Sequence, residues 1–450
     1  MSVGGDRRVN VVGAGLAGAL LALLLARRGL EVTLYERRAD PRQSEPERGR
    51  SINLALAARG MRALELAGVL ERVRPLLIPM RGRLVHALTG ATALQPYGQR
   101  EHEVIWSVGR GDLNRVLIEA AAAHGRVSVH FKQQCLGADV RRGRLHLRAL
   151  PDGDAYEAAL APTIATDGAG SAVRASLGAT ALLTVREEWL DHDYKELTIP
   201  AASAGALERH ALHIWPRGGF MLIALPNIDG SFTATLFLAR QGPQSFAALD
   251  SPTAVTKFFA HEFPDTLPLL PDLPLQFAAH PQGQLGTVHT DPWHLGGEVL
   301  LLGDAAHAIV PFHGQGMNAA FEDCVVLDEL LDIHHDWQSL FAEFERTRRP
   351  NAAAIARMAL ENYTEMRDAV LDARFLRHKA IAMGLERRFP QRFIPRYSMV
   401  MFHPEIPYAE ALRRGAVQAQ LLAELDTGGD AEPDPALAAK LIEERLPPLG

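Results

Sequence analysis

The stretch that decides the fold runs from residue 303 to residue 324 and reads GDAAHAIVPFHGQGMNAAFEDC. It opens with Gly303 and Asp304, which close a short apolar run of strand type. Pro311 and the glycines after it predict a turn, and a helical apolar pattern begins at Met317. We therefore expect a strand that ends on a carboxylate, a loop with exposed backbone, and a helix whose first N–H groups suit an anion.

Length and composition are those of a globular protein with two or three domains. The chain has 450 residues, of which 47% are apolar and 22% charged, and its formal charge of −6 gives no reason to expect nucleic acid. Cys135 and Cys324 lie far apart, which excludes a disulfide scaffold and a cysteine-rich metal site and predicts a cytoplasmic protein. The histidines are scattered, so no metal site is predicted. No apolar run approaches the ~20 residues of a membrane span.

The N-terminal segment carries the glycine spacing Gly13-x-Gly15-x-x-Gly18 between an apolar strand and a helix, and a second predicted strand ends at Glu36. In such a unit the first glycine forms the tight turn and the second lets a pyrophosphate approach the backbone. The third glycine lets the helix pack on the strand. A carboxylate at Glu36 can accept hydrogen bonds from both hydroxyls of an adenosine ribose, which predicts FAD or NAD rather than NADP at this site.

A secretory signal is the alternative interpretation of this segment, because Arg7-Arg8 precede a long apolar stretch. That stretch ends in Arg27-Arg28 rather than in a small-residue cleavage site, and a strand follows at once. A complete unit of strand, turn, helix, strand and acid is also much rarer by chance than an isolated glycine motif. Nucleotide binding is therefore the favoured interpretation.

Other polar residues stand at the ends of predicted elements. Arg83 and Tyr97 flank an alternating strand-like segment, and both also fit an ordinary solvated surface. Arg110 stands at a helix entrance, where it suits a phosphate or adenosine contact or a plain salt bridge. Asp167 and Gly168 close a short apolar strand, and we expect Asp167 to lie beside the first glycine turn.

Three signals thus occur in one chain: the N-terminal glycines, Asp167-Gly168 and Gly303-Asp304. With them the chain resembles the group A flavoprotein monooxygenases, the single-component aromatic hydroxylases, along nearly its whole length. Within that group, its shorter sequence motifs are similar to those of the members that act on L-kynurenine. Besides residues 303–324, the resembling stretches are GRSINLALAARG (49–60), PMRGR (79–83), PYG (96–98), RGDLNRVL (110–117), ENYTEMR (361–367) and IPRYSMVMF (394–402). Two departures are His313, where the family more often has a phenylalanine, and Gly109, where a serine is usual.

The resemblance implies non-covalently bound FAD, with NADPH as co-substrate and no metal. The residues it assigns to the cofactor are Gly13, Gly15, Gly18, Glu36, Arg38, Ala55, Arg110, Leu136, Asp304, Gly316, Met317 and Asn318. It further implies that Arg83 and Tyr97 bind the carboxylate of L-kynurenine, with Asn362 and Tyr397 completing that pocket. The helix that begins near Met317 would direct its positive end to the N1–C2=O edge of the flavin.

The resemblance also implies an α/β fold with a Rossmann-like FAD-binding domain. The corresponding segments are residues 1–185 and 286–350 for the FAD-binding domain, 186–285 for an inserted antiparallel-sheet substrate domain, 351–425 for a C-terminal helical region, and 426–450 for a linker and tail. Asp426–Pro435, which reads DTGGDAEPDP, is expected to be a mobile linker.

The implied reaction hydroxylates L-kynurenine to 3-hydroxykynurenine with dioxygen through a flavin C4a-hydroperoxide, in tryptophan degradation. We predict no catalytic acid or base, and interpret His307 as a histidine satisfied by the backbone. Two alternatives stay open: a hydroxylase of a phenol or benzoate, and a non-enzymatic member of the fold, such as a GDP-dissociation inhibitor. A flavin halogenase is disfavoured, because the sequence has no W-x-W-x-I-P.

Overall fold

The computed structural model describes residues 7–43, 53–369, 372–428 and 433–449. Four positions of the stretch GRSINLALAARG, 49–52, and four of the expected linker, 429–432, lie outside these residues. The strands are β1 (Arg8–Val12), β2 (Glu31–Tyr35), β3 (Asn53–Leu56), β4 (Ile78–Met80), β5 (Gly82–His86), β6 (Thr92–Pro96), β7 (Ile105–Gly109), β8 (Val127–His130), β9 (Gln133–Asp139), β10 (Arg144–Ala149), β11 (Ala155–Ala159), β12 (Thr163–Ala165), β13 (Thr184–Ile199), β14 (Leu212–Pro216), β15 (Met221–Pro226), β16 (Phe232–Ala239), β17 (Gln282–Asp291), β18 (His294–Leu295) and β19 (Val299–Leu301).

The α-helices are α1 (Leu16–Arg27), α2 (Ala58–Leu66), α3 (Leu70–Val73), α4 (Arg110–Ala122), α5 (Ala172–Ala179), α6 (Pro252–Glu262), α7 (Leu273–Ala279), α8 (Asp304–His307), α9 (Gly316–Leu330), α10 (Trp337–Thr364), α11 (Ala373–Arg388), α12 (Arg396–Phe402), α13 (Tyr408–Leu425) and α14 (Pro435–Arg445). A π-helical turn, Glu365–Ala369, follows α10 directly. Such turns are rare and occur often at functional sites.

The chain forms two compact units. The first comprises Met1–Leu77, Ser107–Leu190 and Gln284–Ala353, and the second comprises Ile78–Trp106, Asp191–Gly283 and Ala354–Gly450. Each unit is therefore assembled from three separate segments of the chain.

The first unit is built on a six-stranded sheet with the order β18-β19-β12-β1-β2-β8. The strands from β19 to β8 are parallel, and β18 is antiparallel to β19. Helix α1 is buried from Gly18 to Ala26, which explains why its sequence is apolar on all sides rather than striped. The apolar helix between two strands is thus part of a buried crossover in this unit.

The second unit contains strands β16, β15, β14, β5 and β6, which are neighbours in that order in one sheet, and residues 192–199 of β13, which pair with β16. Most neighbouring strands are antiparallel, but β5 pairs with β14 in parallel, with Arg83 opposite Leu212. Apolar side chains of β13 to β16 pack against α6 and α7, and fully buried Trp215, Phe259 and Phe263 belong to this core. The expected antiparallel-sheet segment, 186–285, contains strands β14, β15 and β16 of this sheet.

Residues 78–106 differ in placement from the predicted division of the chain. The resemblance includes them in segment 1–185, and the division into compact units includes them in the second unit. The physical reason is that β5 pairs with β14, and no pattern within either segment predicts this pairing. The other predicted boundaries stay predictions.

Helices complete the second unit. Helices α11, α13 and α14 share an apolar cluster that includes Leu385, Leu421 and Ile442. Within the residues described, no helix combines the length and the apolar content that crossing a membrane requires.

Candidate functional site

The sequence signals of the first unit meet at one edge of its parallel sheet. Val12 is in register with Tyr35 and with Ala165, and Ala165 is in register with Leu301. The residues that follow these strand ends are the glycine turn, Glu36, Asp167 and Asp304. In open parallel sheets, ligands bind beyond the carboxyl ends of the strands. The expected proximity of Asp167 to the first glycine turn is confirmed, since a Cβ atom on Gly13 would lie 2.9 Å from the Asp167 Cα.

The three N-terminal glycines differ in what requires them. Gly13 has φ +95°, and a Cβ on Gly18 would lie 1.9 Å from the Gly13 carbonyl oxygen, so protein packing accounts for both. A Cβ on Gly15 would meet no atom within 4 Å. The bare backbone at Gly15, at the start of α1, is therefore not required by the protein's own packing. It fits the close approach of a pyrophosphate to the helix N-terminus.

Glu36 is a buried carboxylate beside this turn. It accepts hydrogen bonds from the Ala14 N–H at 2.8 Å and from the Arg38 N–H and Nε, both at 2.9 Å. Burial acts to raise the pKa of Glu36, but the hydrogen bonds and charge of Arg38 outweigh it and hold the pKa below its usual value. Glu36 is therefore ionised at neutral pH and can accept further hydrogen bonds from ribose hydroxyls.

The loops after β12 and β19 are joined by Arg174 of α5. Its guanidinium donates to the carbonyl oxygens of Ala169 and, at 2.8 Å, of Ala305. Asp304 is exposed, although the residues on both sides of it are buried. A Cβ on Gly316 would lie 4.0 Å from the Asp304 Oδ1, so the start of α9 lies beside this carboxylate. Asp304 is thus presented to a ligand rather than used by the protein interior.

Two further predicted cofactor residues border the same edge. Arg110 begins α4, and the Asn114 amide, one helical turn later, donates to the Ala14 carbonyl at 3.0 Å. This hydrogen bond fixes the Arg110 end of α4 to the glycine turn. Leu136 is a half-buried residue of β9, a strand whose first residue donates its N–H to the Glu36 carbonyl at 2.8 Å.

Asn318 connects α9 to β3. Its amide nitrogen donates to the carbonyls of Ala55 at 2.9 Å and Gly314 at 2.8 Å, and its amide oxygen accepts from the Ala57 N–H at 2.9 Å. The side chain is fully buried, whereas Met317 is partly exposed. The structure thus assigns the Asn318 amide to shaping the loop that precedes α9. Its contact with a flavin stays a prediction.

His307 is satisfied by a carboxylate, so the expectation of a backbone partner is wrong. Its Nε2 lies 2.7 Å from the Asp323 Oδ2, and its ring stacks on Trp293 at 4.8 Å. Asp323 also accepts from Arg348 Nε at 2.6 Å and from the Gly303 N–H at 3.1 Å. Burial acts to raise the pKa of Asp323, but His307 and Arg348 lower it to about 2. The Asp323 network therefore holds the loop that carries Asp304.

Asp323, Arg348 and Arg174 are missing from the residues predicted from sequence. The sequence contains one indication for Asp323. It is an acidic residue that directly precedes Cys324, and Cys324 belongs to the apolar face of the helix predicted after Met317. The two arginines had none, because each donates a hydrogen bond to a residue on another helix, and no local pattern predicts which helices meet.

We expect Gly15→Ala to weaken FAD binding at least about tenfold, or about 1.4 kcal/mol, because a methyl group there displaces the ligand and no protein atom. The FAD-free variant should keep the urea midpoint of the wild type. Fluorescence titration of FAD-free protein measures the affinity, and Gly205→Ala, a second site where a Cβ meets nothing within 4 Å, is the matched control. Equal FAD affinities of Gly15→Ala and the wild type would contradict this assignment.

In the second unit, three of the residues predicted to hold the substrate lie around the fourth, Arg83. Its Nη2 donates to the Asn362 Oδ1 at 3.4 Å, and its guanidinium lies over the rings of Tyr397 at 4.9 Å and Tyr97 at 5.9 Å. The two tyrosine rings stack at 5.7 Å. Glu365, which was not predicted, pairs with the Arg83 Nη1 at 3.2 Å. Its signal was the i, i+3 spacing from Asn362, which puts both on one helical face.

The electrostatics of this cluster keep the Arg83 guanidinium charged and the two tyrosine hydroxyls neutral. Burial acts against the charge of Arg83, but Tyr397 and Glu365 raise its pKa above the ordinary value, so the guanidinium stays charged. Burial raises the pKa of both Tyr97 and Tyr397, which keeps their hydroxyls neutral. The cluster thus offers a planar fork of N–H donors with two neutral hydroxyls, a set that matches a carboxylate.

Comparison with known proteins gives the class first. A family described as "FAD binding domain" matches residues 6–359. Among solved structures, the tetrameric form of 2-methyl-3-hydroxypyridine-5-carboxylic acid oxygenase is similar, with a TM-score of 0.66 and 22% identity, over 83% of this chain and 96% of that chain. These matches confirm the α/β fold class with an FAD-binding domain and a C-terminal helical region. They also confirm FAD as the cofactor.

Two full-length relatives then give the family. Kynurenine 3-monooxygenase of Stenotrophomonas maltophilia is 50% identical over 95% of this chain and 94% of its own length. Kynurenine 3-monooxygenase of Myxococcus xanthus is 49% identical over 98% of this chain and 96% of its own length. The chain belongs to the kynurenine 3-monooxygenase family of FAD-dependent monooxygenases.

Proposed function

We propose that the protein hydroxylates L-kynurenine to 3-hydroxykynurenine, using dioxygen and NADPH, within tryptophan degradation. The observation that carries this proposal is the buried cluster around Arg83, because a plain phenol has no carboxylate on a flexible arm for it to hold. The names of the relatives support the same substrate.

FAD, bound non-covalently at the carboxyl edge of the first unit's sheet, supplies the oxygen-activating redox chemistry. Gly15 and the first N–H groups of α1 suit its pyrophosphate, and Glu36 its adenosine ribose. Asp304 and Arg110 border the same ligand. The start of α9 carries the partial positive charge of a helix N-terminus, which would stabilise negative charge on a flavin bound beside it.

The substrate's amino-acid end is assigned to the second unit. Arg83 binds the carboxylate through two parallel N–H groups, and Tyr97, Asn362 and Tyr397 add hydrogen-bonding groups. Fixing this end, remote from the carbon that is oxidised, limits the orientations of the aromatic ring. We assign no general base, since the task of these residues is to bind and orient the substrate and to exclude water.

NADPH is proposed to react without a dedicated dinucleotide-binding unit of its own. The sequence has one complete unit of strand, glycines, helix and acid, and the ionised Glu36 would repel a 2′-phosphate there. We place the reaction in the cytoplasm, a proposal supported by the free, buried thiols of Cys135 and Cys324.

The direct test is turnover by the purified holoenzyme, with NADPH oxidation and hydroxylated product counted together. We expect L-kynurenine to give product in proportion to NADPH, and its decarboxylated analogue to react at least about tenfold less efficiently. Acid precipitation should release all the yellow colour. Equal turnover of the two compounds would favour a phenol-type hydroxylase, and a colourless protein that binds no FAD would contradict the flavoenzyme assignment.

A further inference from the structure

In the second unit, residues 98–103 form a loop around one buried carboxyl group. The Glu103 Oε2 accepts hydrogen bonds from the Gln99 N–H at 2.6 Å and from the Arg100 N–H at 3.0 Å. A Cβ on Gly98 would lie 2.4 Å from the Glu103 Cβ, so the loop leaves no room for a side chain there. The 98–103 loop is therefore tightly packed around Glu103.

The side chain of Gln99 joins this loop to the last two turns of α11. Its Nε2 donates to the Glu386 Oε2 at 2.6 Å and to the Met383 carbonyl at 3.1 Å. Its Oε1 accepts from the Arg387 Nη1 at 2.7 Å. Both ends of the Gln99 amide are thus used, and all three hydrogen bonds connect the loop to the same helix.

Glu386 uses both of its oxygens on the 98–103 loop. Its side chain is buried, its Oε2 accepts from Gln99, and its Oε1 lies 3.2 Å from the Arg100 Nη1. A buried polar group that loses its hydrogen-bond partners costs free energy. Separation of the loop from α11 would leave a buried carboxyl group without these two donors, so Glu386 holds the loop in place.

The loop and the helix adjoin the two tyrosines of the cluster around Arg83. Tyr97 directly precedes the loop, and its N–H donates to the Arg81 carbonyl at 3.1 Å. Tyr397 belongs to α12, the next helix after α11. Since the two tyrosine rings stack at 5.7 Å, the hydrogen bonds of Gln99 connect the two chain segments that meet at these rings.

The orientation of Tyr97 decides how well its hydroxyl can hold a carboxylate. Hydrogen bonds weaken steeply when the donor angle departs from linearity, and a misplacement of about 1 Å can lose most of the benefit of a positioned group. Burial raises the pKa of Tyr97, so its hydroxyl keeps the proton that it would donate. The 98–103 loop can therefore change carboxylate recognition through the position of this donor.

We propose that Gln99 and Glu386 are positioning residues for the amino-acid end of the substrate. By fixing the 98–103 loop to α11, they hold the Tyr97 hydroxyl where it donates to the substrate carboxylate. The inference rests on the proposed function and extends it to two residues outside the predicted site. Part of the selectivity for a carboxylate-bearing substrate is thus assigned to hydrogen bonds between a loop and a helix.

The test is steady-state kinetics of the FAD-loaded protein with L-kynurenine and with its decarboxylated analogue. Gln99→Met keeps the length of the side chain and removes its hydrogen bonds. We expect it to raise the KM for L-kynurenine roughly two- to tenfold, the equivalent of one hydrogen bond, while kcat and FAD content stay unchanged. The KM for the analogue should not change, because the analogue has no carboxylate for Tyr97 to hold.

A double variant separates positioning from general damage to the fold. If Gln99 acts through the Tyr97 hydroxyl, Gln99→Met should have no further effect on the KM of a Tyr97→Phe protein. Glu386→Gln, in which an amide nitrogen replaces one of the two accepting oxygens, should give the same pattern from the side of the helix. Glu443→Gln changes an exposed carboxyl group of α14 and should match the wild type.

Wild-type KM values in both Gln99→Met and Glu386→Gln would overturn the inference and leave the proposed function standing. Equal increases for the two substrates, or an effect that adds to that of Tyr97→Phe, would show a purely structural role and also overturn it. A wild type that does not hydroxylate L-kynurenine would contradict the proposed function and, with it, the inference.

Discussion

Replacing Arg83 by alanine should raise the KM for L-kynurenine by about two to three orders of magnitude while FAD content stays normal. The guanidinium is buried, stays charged, and lies against Asn362, Glu365 and two tyrosine rings. Water that fills the space left by the truncated side chain therefore does not replace its charged N–H donors. Removing one partner of a buried charge pair typically costs about 2–5 kcal/mol. Steady-state kinetics with L-kynurenine measure the effect.

Related substitutions separate charge from shape at this position. Arg83→Lys should recover only part of the affinity, because an ammonium does not reproduce the planar fork. Tyr97→Phe should cost about 0.5–1.5 kcal/mol, the value of one hydrogen bond. Arg81→Ala, which changes an exposed arginine two residues earlier, is the matched control and should behave as the wild type. Unchanged kynurenine kinetics in Arg83→Ala would refute the substrate assignment.

Asp323→Asn should destabilise the FAD-free protein by about 3–5 kcal/mol and weaken FAD binding as well. The substitution leaves His307 and Arg348 without the charge that both face, inside a fully buried site. It also disturbs the N–H contact that fixes Gly303 and, with it, the loop of Asp304. Urea denaturation and FAD titration measure the two effects. Asp332→Asn, which removes an exposed ion pair with Arg28, should leave the urea midpoint of the FAD-free protein unchanged.

The same carboxylate makes stability depend on pH. The folded-state pKa of Asp323 is about 2, below the value of about 3.9 in an unfolded chain. The contribution is therefore present above about pH 4 and is lost as pH falls towards 2. It amounts to roughly 2 kcal/mol, and it should be missing from the acid limb of Asp323→Asn. Identical acid denaturation of the two proteins would contradict this assignment.

The sequence predicts the sheet edge of the first unit well, because its signals are local. A glycine turn, an acid at the end of a strand, and a loop before a helix each depend on neighbouring residues. Parallel pairing then aligns the strand ends, so Gly13, Glu36, Asp167 and Asp304 meet without any further information. The exposure of Asp304 and the open space at Gly15 agree with this prediction.

Interactions between distant segments are what the sequence does not reveal. Asp323 becomes a buried anchor only because Arg348 and His307 reach it from other elements. The transfer of residues 78–106 to the second unit depends on β5 pairing with β14, a partner more than a hundred residues away.

The arrangement of each unit from three chain segments has a consequence for synthesis on the ribosome. Strand β12 begins at residue 163, whereas its outer neighbour β19 begins at residue 299. At ordinary elongation rates, roughly ten to thirty seconds separate the two strands. During that interval the β12 edge of the nascent sheet has unpaired N–H and C=O groups, which can form hydrogen bonds with another chain. The strand that pairs with this edge is complete only once residue 301 has been synthesised.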